Sequence, residues 1–146
     1  MIGGTGTLAK FNRSVAPPRV IETGETSQAH QPTLQILRKD SDYRLYQQWT
    51  GKPRRGFFKS SPIDFNHRIG VAIFLGERPQ GNSKIQFLGL EKRDGVVVPT
   101  FREVVLEAGC GVASKPGQPY LLVSIPWTAM RLDPQVLSEV VPIACD

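Results

Sequence analysis

Cysteine and histidine are scarce in this sequence, and long apolar runs are missing. Two residues of each type occur among 146, too few for the disulfide framework of small secreted domains or for a metal site rich in these ligands. No run of apolar residues reaches the roughly 18 that a transmembrane helix needs. We therefore expect no metal, no other cofactor and no transmembrane segment.

Charge and apolar content are ordinary, whereas glycine and proline are frequent. The chain is 40% hydrophobic and 21% charged, which excludes extensive disorder. Its 14 glycines and 12 prolines are spread along the chain and favour many short elements over a helical bundle. The length predicts one domain with one hydrophobic core. We place this domain at residues 18–146, after a flexible arm at residues 1–17.

The amino terminus leaves the compartment open. Residues 1–7 lack the basic start and the apolar stretch of a signal peptide. Two interpretations remain: the protein is cytoplasmic, or the chain is a trimmed form of an exported or envelope-associated protein.

Short β-prone runs dominate the rest of the chain. They predict about seven strands, near residues 19–23, 33–37, 68–76, 83–90, 96–106, 120–126 and 136–143. Asp94-Gly95 favours a tight hairpin turn, and Pro99 predicts that its strand is bent or lies at an edge. The sequence thus predicts an α+β, mostly β domain whose antiparallel sheet curls into a half-barrel or a sandwich.

One short amphipathic helix is predicted at residues 41–50. Asp40 or Ser41 can cap its start, and Gly51 with Pro53 ends it. Its apolar side chains recur at spacings of three and four and are Tyr43, Leu45, Tyr46 and Trp49. We expect this face to pack on the sheet.

The net charge of +5 comes from one segment. Residues 38–68 contain eight basic and three acidic residues, and the remainder of the chain contains equal numbers. The centre of the segment is a loop that combines Phe57 and Phe58 with four cations, Lys52, Arg54, Arg55 and Lys59. Cations beside aromatic rings are typical of sites that bind phosphates and stack bases. A solvated basic loop with its phenylalanines in the core fits the same pattern.

Several motifs occur in an order typical of one known family. Trp49 on the helix comes first, followed by Asp64-Phe65, by a strand that ends in a Gly-x-x-Pro-x-Gly turn at residues 76–81, and by a β-meander. Residues 119–126 then have the pattern Pro-Tyr-x-x-Val-x-Ile-Pro. Over residues 33–127 the chain resembles the C-terminal domain family of the protease-complex-associated protein PrcB. It departs from the family after the turn, where Asn82 and the residues that follow replace the usual Gly-Tyr.

The resemblance implies a non-enzymatic accessory domain of exported or lipid-anchored bacterial proteins, associated with the assembly or stability of a surface protease. The expected ligand is therefore a protein partner from a protease or envelope complex. We expect it to contact the 76–81 turn together with nearby strand edges and exposed aromatic residues, since an exposed edge can pair with another chain. The candidate turn residues are Gly76, Glu77, Arg78, Pro79 and Gly81. A plain hairpin turn is the alternative interpretation, and nucleic acid bound by the basic loop is the alternative partner.

No arrangement of residues indicates catalysis. His30 and His67 lack further metal ligands at a suitable spacing, and no cation or helix start lies next to Cys110 in the sequence to activate its thiol. We therefore expect a protein that is not an enzyme. Cys110 and Cys145 can form a disulfide bridge in an oxidising compartment, or remain two partly buried thiols.

Overall fold

A computed structural model describes residues 17–52, 60–79, 83–106 and 116–141. These residues form eight β-strands and one α-helix. In chain order the elements are β1 (Arg19–Gly24), β2 (Thr33–Leu37), α1 (Asp40–Thr50), β3 (Arg68–Phe74), β4 (Ser83–Arg93), β5 (Val96–Leu106), β6 (Tyr120–Pro126), β7 (Arg131–Leu132) and β8 (Gln135–Val141). The prediction of an α+β, mostly β domain is confirmed. No helix in the described ranges is long and apolar enough to cross a membrane.

The strands form two sheets that face each other. The first has the order β1-β6-β3-β2, and all neighbouring strands in it are antiparallel. The second has β5 in the middle, with β4 antiparallel on one side and both β7 and β8 parallel on the other. The parallel pairing arises because the chain crosses to the first sheet as β6 before it returns as β7 and β8. The two sheets form a sandwich and not a closed barrel.

Alternate residues of the first sheet supply the core between the two sheets. In β3, Ile69, Val71 and Ile73 pack with Phe101 of β5. The intervening residues, such as Phe74, belong to a second cluster on the opposite face. Strand β3 is therefore buried on both faces, which explains its nearly continuous apolar sequence.

Helix α1 covers the outer face of the first sheet. The ring of Tyr46 is fully buried, and its centroid lies 5.8 Å from that of Phe74 and 6.2 Å from that of Tyr120. Trp49 lies 6.4 Å from Phe74. The predicted aromatic face is thus confirmed. The prediction is wrong for Leu45, which was expected on the same face but is 47% exposed, because it projects from a different side of the helix than Tyr46.

The two ends of α1 match the prediction to different degrees. The N-cap residue is Lys39, with no side-chain cap hydrogen bond, so the prediction of Asp40 or Ser41 as the cap is wrong. Asp40 is instead the first helical residue. In that position its carboxylate interacts favourably with the positive end of the helix dipole. Gly51 ends the helix as predicted, in the left-handed conformation with φ of 73°.

Pro99 lies in a central strand. Of the two alternatives predicted for this strand, a bend or an edge position, the edge position is therefore wrong. Pro99 is fully buried in β5 and lies opposite Leu90 of β4. On the other side of β5, β7 pairs with residues 96–97 and β8 with residues 100–106, which leaves Val98 and Pro99 without a partner in that ladder. A central strand tolerates proline at this point because the neighbouring strand is interrupted there.

The turn between β4 and β5 has the predicted geometry. Asp94 and Gly95 both have positive φ angles, of 49° and 77°. Two successive residues with positive φ are typical of the tight turns that join antiparallel strands.

Candidate functional site

The first half of the turn after β3 is fixed to the fold. Gly76 is buried with φ of +83°, and a Cβ atom built on it would lie 2.8 Å from the backbone of Gln31 and of Pro32. The Glu77 N–H donates a 3.0 Å hydrogen bond to the carbonyl of His30. Both the conformation and the space at position 76 therefore require glycine.

Arg78 joins this turn to two other segments. Its backbone forms two hydrogen bonds with the backbone of Gly117, at 2.8 and 2.9 Å. Its guanidinium donates from Nε to Oε2 of Glu103 at 2.7 Å and from Nη2 to Oε1 at 3.0 Å. These hydrogen bonds lower the pKa of Glu103 and raise the pKa of Arg78. Glu103, a buried residue of β5, is thus held in its ionised form.

The turn residues predicted as partner contacts fall into three groups. Gly76 and Arg78 hold the turn against the rest of the domain, as described above. Glu77 and Pro79 are exposed. Gly81 lies outside the described residues.

A groove opens beside this turn, between the edge strands β2 and β8. Its volume is about 270 Å³, and most of its lining is apolar, including Leu34, Ile73, Leu75 and Val136. The Arg78–Glu103 pair forms the charged part of the lining. Leu34 on β2 and Val136 on β8 are each about half exposed, at 48% and 44%. We refer to this cavity as the β2–β8 groove.

Strand β8 is an edge strand with an apolar surface. Among the described strands it pairs with β5 alone, so its other side presents a row of backbone N–H and C=O groups that no described strand pairs. Val136, Leu137 and Val140 of this strand are 44%, 40% and 59% exposed. Val136 pairs with Phe101 of the core, so Val136 and Val140 extend the inner face of the second sheet past the area that the first sheet covers. We refer to this free side, with its exposed side chains, as the β8 edge.

The opposite edge of the same sheet carries features that discourage pairing. Strand β4 has exposed charged side chains at Lys84, Glu91, Lys92 and Arg93, and its register shifts between Phe87 and Gly89. Charges and bulges are the usual means by which proteins protect an edge strand. In contrast, Glu139 is the only charged residue in β8. Within the second sheet, the comparison points to β8 and not to β4 as the strand that can pair with another chain.

Lys52, the member of the predicted basic patch that the structure describes, is engaged in the fold. Its Nζ lies 2.9 Å from Oε2 of Glu22 and 5.3 Å from the centre of the Tyr120 ring. The other oxygen of Glu22 accepts a 2.7 Å hydrogen bond from the Tyr46 hydroxyl, and burial together with this hydrogen bond raises the pKa of Tyr46. The remaining cations of the patch lie outside the described residues: Arg54, Arg55 and Lys59.

Each histidine faces one carboxylate at the protein surface. Nδ1 of His67 lies 2.7 Å from Oδ2 of Asp64, and Nδ1 of His30 lies 3.7 Å from Oε2 of Glu77. In the part of the chain that the structure describes, no group of three or more His, Cys, Asp or Glu side chains could hold a metal ion. The proposed disulfide pair lies outside that part: Cys110 and Cys145.

Comparison with protein-family models, with curated proteins and with solved structures gives no match for this chain. The resemblance to the PrcB C-terminal domain family is therefore an argument from sequence motifs. In the structure four of these motifs lie on α1, just before β3, in the turn after β3 and on β6. The expected meander, and with it the plain hairpin turn after β3, is wrong, because β3 and β4 belong to different sheets and do not pair. That turn borders the β2–β8 groove through Arg78.

The sequence did not identify the exposed apolar residues of the β2–β8 groove and the β8 edge. It predicted strands at β2 and β8 and expected strand edges near the turn to take part in binding. A usable signal was present, since residues 135–141 carry one charge among four aliphatic side chains. Such a pattern is also typical of a buried strand, so the order of strands in the sheet was needed to recognise an exposed edge.

Proposed function

We propose that the protein is a non-enzymatic protein–protein interaction module and that its partner adds an extended segment to the β8 edge. The observation that carries the proposal is the exposure of Val136, Leu137 and Val140 on a strand whose other side is free among the described strands. An added strand gains backbone hydrogen bonds along this side. It also buries aliphatic surface that the first sheet leaves uncovered.

The β2–β8 groove gives this mode of binding its selectivity. Alternate side chains of an added strand point toward the inner face of the second sheet, where the groove opens beside Val136. The cavity is of a size to receive one large apolar side chain. Because Arg78 and Glu103 already neutralise each other, an uncharged side chain fits the groove better than a charged one.

The resemblance to the PrcB C-terminal domain family supports the class of partner. That family is associated with surface proteases, so we propose a bacterial protease or another envelope complex as the partner, with this chain as an accessory or stabilising subunit. The chain has Asn82-Ser83-Lys84 where the family usually has Gly-Tyr and a strand. We therefore expect the partner to differ from those of family members that keep the tyrosine.

Photocrosslinking from the proposed surface tests this function. A photoreactive residue replaces Leu137 in the full chain, which is then incubated with cytosolic and envelope fractions of the native organism, and the products are identified by mass spectrometry. We expect one protease or envelope protein to be crosslinked in stoichiometric amount. Val140→Lys should abolish the product, because a partner strand on the β8 edge would bury the new charge without a counterion.

Leu88→Lys is the matched control. Leu88 is 46% exposed on β4, the opposite edge of the same sheet, so this variant carries the same charge change at a distant strand and should keep the crosslink. Thermal melting of both variants establishes that they fold. Equal crosslinking by the two variants would overturn the proposal. Recovery of nucleic acid alone, released by salt, would also overturn it and would favour the basic-loop alternative.

A further inference from the structure

We infer that, in the absence of a partner, the β8 edge pairs with the same edge of a second copy of this chain, in an antiparallel arrangement with two-fold symmetry. The inference rests on the proposed function, because it names an occupant of the same surface. A partner strand and the second copy would compete for one edge, so that the second copy covers the apolar side chains until the partner replaces it.

The residue order of β8 suits pairing with its own copy. A strand that pairs with itself around a two-fold axis must be complementary to its own reversed sequence. If the axis passes beside Ser138, the middle of Gln135–Val141, Val136 lies opposite Val140 of the second copy. The symmetry produces this valine pair twice, on the inner face of the sheet. Cross-strand pairs of β-branched side chains stabilise antiparallel strands.

The charges of the region favour the same register. Glu139, the charged residue of β8, then lies opposite Leu137 of the second copy and not opposite the second Glu139. An axis one residue further along the strand would bring the two glutamates face to face, which is unfavourable. Arg102 of the same chain lies 3.4 Å from Glu139 and compensates its charge. The register centred on Ser138 also pairs all seven residues of the strand.

Pairing in this way joins the second sheets of two copies into one continuous sheet. The charged β4 strands then lie at its two outer ends, so the free apolar edges are removed and the protected edges remain. Seven residue pairs make a small interface, and interfaces below about 1,200 Å² are typical of weak complexes. We therefore expect a reversible dimer.

Sedimentation velocity of the full chain at increasing concentration measures the association. We expect the wild-type chain and Leu88→Lys to form dimers to the same extent, and Val140→Lys to remain monomeric. A wild-type chain that is monomeric up to about 300 µM, where even weak small interfaces assemble, would overturn the inference. A dimer that Val140→Lys leaves intact would overturn it too, because the contact would then lie elsewhere.

Cysteine crosslinking tests the register. In a chain with Cys110 and Cys145 replaced by serine, Ser138→Cys should crosslink to its own copy under mild oxidation. Val136→Cys mixed with Val140→Cys should crosslink through a short bifunctional reagent, whereas Val136→Cys alone should not, because the two copies of this residue lie roughly 13 Å apart along the strands. Efficient crosslinking of Val136→Cys alone would contradict the antiparallel register.

The two proposals fail in different ways. Suppose that the chain is monomeric but that position 137 still crosslinks a partner protein and Val140→Lys abolishes this crosslink. That result would refute the self-pairing and leave the proposed function standing. If Val140→Lys changes neither dimer formation nor the crosslinking of a partner protein, both proposals are refuted.

Discussion

Arg78 and Glu103 connect the two sheets through a bidentate ion pair. Arg78 lies in the turn after β3, which ends at Phe74 in the first sheet, and Glu103 lies within β5 of the second. The guanidinium reaches both carboxylate oxygens, at 2.7 and 3.0 Å, and the Glu103 side chain is only 11% exposed. Paired hydrogen bonds between charged groups are among the strongest and most directional in proteins. This contact therefore fixes the relative position of the sheets beside the β2–β8 groove.

Glu103→Gln should destabilise the domain. The amide keeps the size of the carboxylate but leaves the Arg78 guanidinium without its counterion, so we expect the free energy of unfolding to fall by about 1–3 kcal/mol. Urea denaturation measures this loss. Glu139→Gln is the matched control, because Glu139 lies 3.4 Å from Arg102 but is half exposed, and its loss should stay below about 0.5 kcal/mol. Equal losses would show that burial does not strengthen the Arg78–Glu103 pair.

The same pair predicts a loss of stability in acid. Hydrogen bonds from Arg78 lower the pKa of Glu103 in the folded protein, so folding favours the ionised form. The resulting stabilisation is fully present above the unfolded pKa, about 4.3, and is lost as the pH falls through the lower folded-state pKa. Denaturation curves recorded across this pH range should show the wild type and Glu103→Gln converging in stability. A difference that stays constant with pH would contradict the role of the Glu103 charge.

Gly76→Ala should cost more stability than Gly95→Ala. Both glycines have positive φ angles, of +83° and +77°, so alanine is strained at each by about 1–2 kcal/mol. At position 76 the added Cβ would also lie 2.8 Å from the backbone of Gln31 and Pro32, whereas at position 95 it would meet nothing within 4 Å. We expect this crowding to add about 1–3 kcal/mol. Thermal denaturation ranks the two variants, and a similar loss in both would rule out the close approach at Gly76.

Tyr46→Phe tests the polar cluster under α1. The substitution removes the 2.7 Å hydrogen bond to Glu22 and leaves the carboxylate with Lys52, so we expect a loss of about 1–2 kcal/mol in unfolding free energy. Tyr43→Phe is the control, since Tyr43 stacks on Tyr46 at 5.6 Å but its hydroxyl bonds to no described residue. Chemical denaturation of both variants should show the loss in Tyr46→Phe alone. If Tyr43→Phe loses as much, the Glu22 hydrogen bond is not the cause.

Elements whose cause is local could be predicted from the sequence. Gly51 ends α1 because glycine adopts the left-handed conformation there, and Asp94-Gly95 form a hairpin turn for the same reason. Pro99 misled the prediction, because a proline in a strand needs only one side free of ladder hydrogen bonds. A break between β7 and β8 provides that free side in a central strand, and the position of this break depends on the return path of the chain. The N-cap was missed because Asp40 and Ser41 are good caps in isolation but lie inside the first turn.

The candidate site depends on contacts between residues far apart in the sequence. Arg78 lay in the turn that the sequence singled out, but its partner Glu103 is 25 residues away. Lys52 belonged to the predicted basic patch, yet it is held by Glu22, 30 residues before it. The sequence placed Arg78 in a candidate binding turn and Lys52 in a basic loop. It did not reveal which carboxylate each of them would contact.

The sequence by itself determined where the helix and seven of the eight described strands lie, since periodicity and turn residues act over a few neighbouring positions. It did not predict β7, whose two residues are too few to show a period. The two-sided burial of β3 was already visible in its continuous apolar run. Only the tertiary structure decided which strands became edges, because strand order depends on pairing between distant segments and leaves no period in the sequence. That strand order buries the apolar residues of β3 and leaves Val136 and Val140 of β8 exposed, although both strands are rich in aliphatic residues.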